Sequence, residues 1–157
     1  NFETGRQDEA LRLVEQALKI DPESFDSYLN LGTFLKQLGR RAEAMVAFKQ
    51  GMKLAPEDIR FPYQLSWLLA ASPEAKLRDG KEALHLVEMI KDPIQINNPA
   101  YLDVWAAALA ESKQYQQAYD TAGRAYVLAL LQKKQELAGE IEARQKLYKA
   151  NKPYRLK

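Results

Sequence analysis

His85 is the only histidine of the chain, and there is no cysteine. A metal centre built without thiolates and with one imidazole needs carboxylates converging at ligand spacing. Glu74, Glu82 and Glu88, on either side of His85 in sequence, do not fall at such spacing. The bland reading of His85, a helix residue beside Leu84 and Val87, is therefore preferred. The seven glycines are scattered at helix ends and close-packing positions rather than gathered into a phosphate-cradling loop. No catalytic residue, metal ligand or cofactor is expected, and the chain does not read as an enzyme.

Two other groups could carry recognition. Arg144, Lys146, Lys149, Lys152, Arg155 and Lys157 follow one another with no acidic residue after Glu142. Such a run can attract nucleic acid or anionic lipid. Without an aromatic platform or glycine-rich loop beside it, it reads instead as a solvated tail whose charges suit a helix C-terminus. The second group is Tyr63 and Trp67, four residues apart and one residue off the apolar stripe formed by Leu65, Ser66 and Leu69, hence together on an adjacent helix face. On that face the preceding unit carries Leu29, Thr33 and Lys36, and a later one carries Asp103. Large amphipathic side chains of this kind dominate binding energy at interfaces. Two readings of Trp67 stay open: a groove residue, or an anchor leaning into the segment from Ser72 to Asp79.

The elements that position these residues are amphipathic helices. Phe25, Tyr28, Leu31, Gly32 and Leu35 recur at three- and four-residue spacing up to Gly39, and Ala44, Ala47, Phe48, Gly51 and Leu54 repeat the pattern up to Pro56. Two such helices cannot bury their apolar faces on each other alone, so neighbouring pairs must stack. The register recurs at 34 residues, taking Gly32 to Ser66, Ala10 to Ala44, Pro22 to Pro56, Val14 to Phe48 and Ala17 to Gly51. A formal net charge of +2 with 28% charged residues calls for neither a nucleic-acid nor a membrane partner. No apolar run reaches the roughly 18 residues of a membrane span, and no secretory leader is read at the start. The compartment is unknown.

The period, with Tyr28, Leu31, Gly32, Leu35, Ala44, Phe48 and Pro56, resembles the tetratricopeptide repeat. The resemblance implies an all-α fold, a right-handed α-solenoid of stacked helix-turn-helix repeats closed by a capping helix. It also implies a concave surface, lined by the first helix of each unit, that binds an extended peptide or a helix of a protein partner. The residues expected to line that groove are Leu29, Thr33, Lys36, Tyr63, Trp67 and Asp103. They do not match the lysine and asparagine clamp with which some tetratricopeptide grooves hold a terminal carboxylate, so an apolar or mixed peptide is expected. From Tyr63 to Arg155 the stretches LSWLLAASPEAKLRDG, NPAYLDVWAAALAESKQYQQA and LYKANKPYR resemble the tetratricopeptide arrays that end many large bacterial multidomain proteins. That similarity implies a position within a parent rather than a chemistry. The alternatives are a structural spacer or self-association scaffold, and, more remotely, a regulatory domain of an enzyme.

In order, residues 1–157 read as a single domain. Residues 1–22 form the second helix of a truncated repeat, whose partner helix is expected upstream in a longer protein. Residues 23–56 form a complete repeat, with Asp21-Pro22 as a helix-start pair. Residues 57–92 form a repeat whose first helix must start late or bend at Pro62. Its turn is lengthened, with Ser72-Pro73 capping a short extra turn and Asp79 with Glu82 forming a capping box. Residues 98–131 begin at Asn98-Pro99, residues 133–150 form a capping helix through Leu137, Ile141, Leu147 and Tyr148, and 151–157 form a tail. Whether the last two helices are continuous is open, since neither glycine nor proline separates them.

Overall fold

Residues 2–90 and 97–157 are described by a computed structural model, with the side chains of residues 2–4 outside the description. Asn1 and residues 91–96, including the end of the repeat assigned to 57–92, lie outside the described residues. Among the described residues there are eight α-helices and no strand: α1 (Phe2–Ile20), α2 (Phe25–Gln37), α3 (Arg41–Leu54), α4 (Arg60–Ala71), α5 (Gly80–Met89), α6 (Pro99–Glu111), α7 (Tyr115–Leu131) and α8 (Gln135–Lys149), with a 3-10 turn at Ala75–Leu77. Within α4 the chain divides into two compact units, residues 1–65 and 66–157.

In the first unit α2 packs between α1 and α3. The crossing of α2 and α3 is made at Gly32, where the ring of Phe48 fills the space that a side chain would take. A Cβ built on Gly32 would lie 2.6 Å from Phe48 Cδ1. The same device recurs at Gly51 beneath Phe61. Gly32 and Ala44 are buried, as the 34-residue register requires. Because Phe48 is itself fully buried, its ring has nowhere to swing. Gly32→Ala should therefore cost about 1–3 kcal/mol through overpacking, read as a lowered denaturation midpoint, and Phe48→Leu in the same chain should restore part of the loss.

Helix starts follow local chemistry with small shifts from expectation. Asp21-Pro22 lies in the turn before α2, and Ser24 is the N-cap, its hydroxyl accepting from the Ser27 N–H at 3.3 Å. α4 begins at Arg60, beside Phe61 as expected, and Pro62 is its third residue, in a first turn whose N–H groups lack intrahelical partners anyway. Asp58 accepts the Arg60 N–H at 3.0 Å there. Glu74, not Ser72, precedes the 3-10 turn. Asp79 caps α5 by accepting the Glu82 N–H, but the Asp79 N–H donates to the carbonyl of Leu69, so the box is one-sided. Asn98 caps α6 with Pro99 as its first residue, as read from the sequence.

α7 and α8 are separate helices. The break is a Schellman turn on Lys133, in which the Lys133 N–H meets Leu130 O at 3.0 Å and the Lys134 N–H meets Ala129 O at 2.8 Å. Gly39, Lys113 and Asn151 end α2, α6 and α8 in the same left-handed conformation. Lys133 holds it at φ 59° without glycine's freedom, its charge suiting the negative end of α7. Left-handed backbone costs a side-chain residue about 1–2 kcal/mol, of which glycine's larger unfolded-state entropy offsets up to about 1. Lys133→Gly should thus raise stability by about 0.5 kcal/mol, whereas Gly39→Ala should lower it by about 1 kcal/mol; thermal melts of the two variants check the opposite signs.

In the second unit α6 packs between α5 and α7, and α8 covers α7 and touches α6. The core is a small-residue seam of Ala118, Ala122, Ala125 and Ala129 against Leu102, Ala106 and Leu109, closed by Ala138, Ile141 and Tyr148 from α8. Ile141 and Tyr148 are the buried members expected of a cap, while Leu137 and Leu147 are half-buried at its rim.

Candidate functional site

The six residues expected to line a groove fall on both sides of the division in α4. In the first unit, α2 presents Leu29, Thr33 and Lys36, all half-buried. The Thr33 hydroxyl donates back to Leu29 O at 2.8 Å, which removes its competition with the helix ladder. Lys36 reaches across to α4 and donates to Gln64 Oε1 at 2.6 Å, setting the α2 face beside the helix turn that carries half-buried Tyr63. Burial holds the Lys36 ammonium below its ordinary pKa. Lys36 is thus a tethered donor rather than a free edge charge. Along α1, α2 and α3 there is also an open pocket of about 440 Å³ lined by residues that include Glu15, Tyr28, Leu31, Leu35, Arg40 and Glu43. Sequence reasoning did not single it out, because Tyr28 and Leu35 sit at core spacing.

In the second unit the expectation for Asp103 is overturned. Asp103 is 2% exposed and its carboxylate takes a two-pronged bond from Arg144, with Nε at 2.9 Å and Nη2 at 2.5 Å. It offers no charge to a groove edge. Burial pushes its carboxyl up to about 6, against the lowering effect of Arg144. Arg144, itself only 8% exposed, lies with its guanidinium carbon 5.5 Å from the Trp67 ring centre and 5.1 Å from that of Tyr154. The two rings meet edge to face, 6.1 Å apart at 79°. Trp67 is therefore half-buried against Arg144 and Tyr154, a contact that neither sequence reading of it anticipated.

Of the terminal basic run, Arg144 and Arg155 are drawn into the unit, while Lys146, Lys149, Lys152 and Lys157 are exposed. Arg155 Nη1 donates to Glu111 Oε2 at 2.6 Å and to Ala70 O at 3.4 Å, and the Leu156 N–H donates to Ala71 O at 2.7 Å. Arg78 takes the other Glu111 oxygen at 3.2 Å and the carbonyls of Ser72 and Pro73. The orphan carbonyls at the end of α4, which has no glycine stop, are thereby satisfied by residues distant in sequence. Lys146 and Lys149 remain exposed on α8. Among the described residues, no group of three or more His, Cys, Asp or Glu is placed to hold a metal ion. No helix among them is long and apolar enough to cross a membrane.

Helix hairpins packed through glycine and alanine crossings, with a capping helix, define an all-α helical-repeat protein of the interaction or scaffold type. The tetratricopeptide repeat family model matches residues 2–72, and that part of the chain carries tetratricopeptide repeats. No curated protein matches the sequence. Two solved structures are similar in fold: MamA 41-end from Desulfovibrio magneticus RS-1, at a TM-score of 0.66 and 16% identity over 95% of this chain and 89% of that one, and a MamA RS-1 double mutant, at the same TM-score and identity over 95% and 88%. At that identity the likeness concerns the fold.

Proposed function

We propose that the chain is a docking module that holds an extended peptide or a helix from a protein partner on the face formed by Leu29, Thr33 and Lys36 of α2 and Tyr63 of α4. The observation that carries this reading is the bond from Lys36 to Gln64, which sets an aliphatic and hydroxyl face next to the half-buried Tyr63. Such a face combines an amphipathic aromatic anchor with adaptable polar contacts, the usual composition of a peptide-binding hot spot. Asp103 is buried, and Trp67 belongs to a different surface, whose occupant is considered below. A peptide selected from a random displayed library against the whole chain supplies the probe. Tyr63→Ala should weaken that peptide at least about tenfold, a loss of about 1.4 kcal/mol, with the melting temperature nearly unchanged. Unchanged affinity, or a melt that collapses, overturns the assignment.

Self-association is the second reading, favoured by the exposed Leu13 and Ile20 on α1, at 60% and 86% exposure. Sedimentation of the chain over a range of concentrations separates it from the first.

A further inference from the structure

The chain's own last residues are seated on the second unit as a bound peptide would be. Beyond Asn151, which ends α8 in the left-handed conformation, the segment has no helix or strand of its own, and none of its residues is fully buried. It runs along the end of α4 in register: Tyr154 against Trp67, Arg155 at the carbonyl of Ala70, and the Leu156 N–H on the carbonyl of Ala71. Three kinds of recognition coincide there: an aromatic edge against an indole with a guanidinium beside both rings, an arginine on the Glu111 carboxylate, and a main-chain bond to an open helix end. Arg144 and Arg78 are each paired within the body of the unit, with Asp103 and Glu111 respectively.

We propose that residues 152–157 are an internal ligand covering a second peptide site, made by Trp67, Ala71, Glu111 and Arg144, that takes a partner segment of the order aromatic, arginine, aliphatic. This rests on the docking-module reading but uses a different surface from the Leu29–Tyr63 face. The seated tail displays the chemistry that the surface recognises. Glu111 supplies the charge selection, since its carboxylate bridges two guanidiniums, one from the body and one from the tail. The Ala71 carbonyl selects for an extended backbone, and the Trp67 ring for a flat partner beside Arg144. A partner must displace the tail, so its apparent affinity is reduced by the fraction of chains in which the tail is seated.

The test uses the full chain and a fluorescent peptide of the sequence of residues 151–157. Tyr154→Ala combined with Arg155→Ala loosens the tail without removing a fully buried group. The peptide should bind this variant at least about tenfold more tightly than it binds the unsubstituted chain, and Glu111→Gln added to the variant should abolish the gain. A chain ending at Ala150 that keeps its melting temperature should behave like the double variant. Equal binding to both chains, or none to either, overturns the proposal. So does a concentration-dependent dimer of the unsubstituted chain that the double variant loses, because the surface then serves a second copy. These outcomes are independent of Tyr63→Ala, which reports on the other face alone.

Discussion

Replacing Arg144 with methionine should destabilise the protein by about 3–5 kcal/mol, the cost of leaving a buried carboxylate without its counter-charge. Asp103 is 2% exposed and receives both prongs of the guanidinium, so the methionine variant strands it. The substitution also removes the cation that lies against both Trp67 and Tyr154. Changing Asp103 to leucine in the same chain should recover most of the loss, because a buried ion pair replaced whole by apolar groups is often neutral or better. The methionine variant should in addition depend on pH in a definite sense. The folded carboxyl, raised by burial to about 6 even with Arg144 present, is raised further without it, while the unfolded one stays near about 3.9. A folded-state pKa above the unfolded one contributes stability that is present at low pH and lost as pH rises through the folded value. The Arg144→Met chain should therefore melt highest below about pH 4 and progressively lower from there up to the raised folded value. A flat pH profile, or a loss under about 1 kcal/mol, would show that water reaches Asp103 and that the pair is a surface one.

Ending the chain at Gln132 should remove about 3–6 kcal/mol of stability from the second unit. Ile141 and Tyr148 are 0% and 1% exposed, and burying a side chain of that size contributes about 1.5–3 kcal/mol each. Their loss also uncovers Leu102, Ala106 and the alanine seam of α7, an apolar patch that promotes association. The ion pair adds little here, because the cover over Asp103 leaves together with Arg144 and the carboxylate regains water. Urea titration of helical circular dichroism checks the magnitude, and an unchanged midpoint would make α8 a free helix rather than a cap.

Helix periods, the Gly32 crossing, the Asn98-Pro99 start and the closure of α7 by α8 were legible because each depends on residues close in sequence. The tetratricopeptide register was legible for the same reason, since one period of small residues repeats. What escaped were pairings over long separations. Asp103 meets Arg144 across 41 residues and Glu111 meets Arg155 across 44, and no local pattern marks an arginine in a basic run as the buried one. Read alone, Asp103 fell one residue off the apolar stripe, at the register position of Leu29 and Thr33, so it passed for a groove charge. One signal was available: Arg144 falls three residues after Ile141 and four before Tyr148, on the capping helix's own apolar stripe. Lys133 escaped for a different reason, since a Schellman turn without glycine leaves no residue-type mark.

The central claim is that the α2 face and the start of α4 form the docking surface. A backbone amide NMR titration of the full chain with the library-selected peptide tests it most directly. The account predicts saturable shifts at Leu29, Thr33, Lys36 and Tyr63, with the exposed face of α3 around Val46 unmoved. Shifts confined to α3, or to the pocket residues Leu31 and Leu35 with Leu29 and Tyr63 silent, would contradict it.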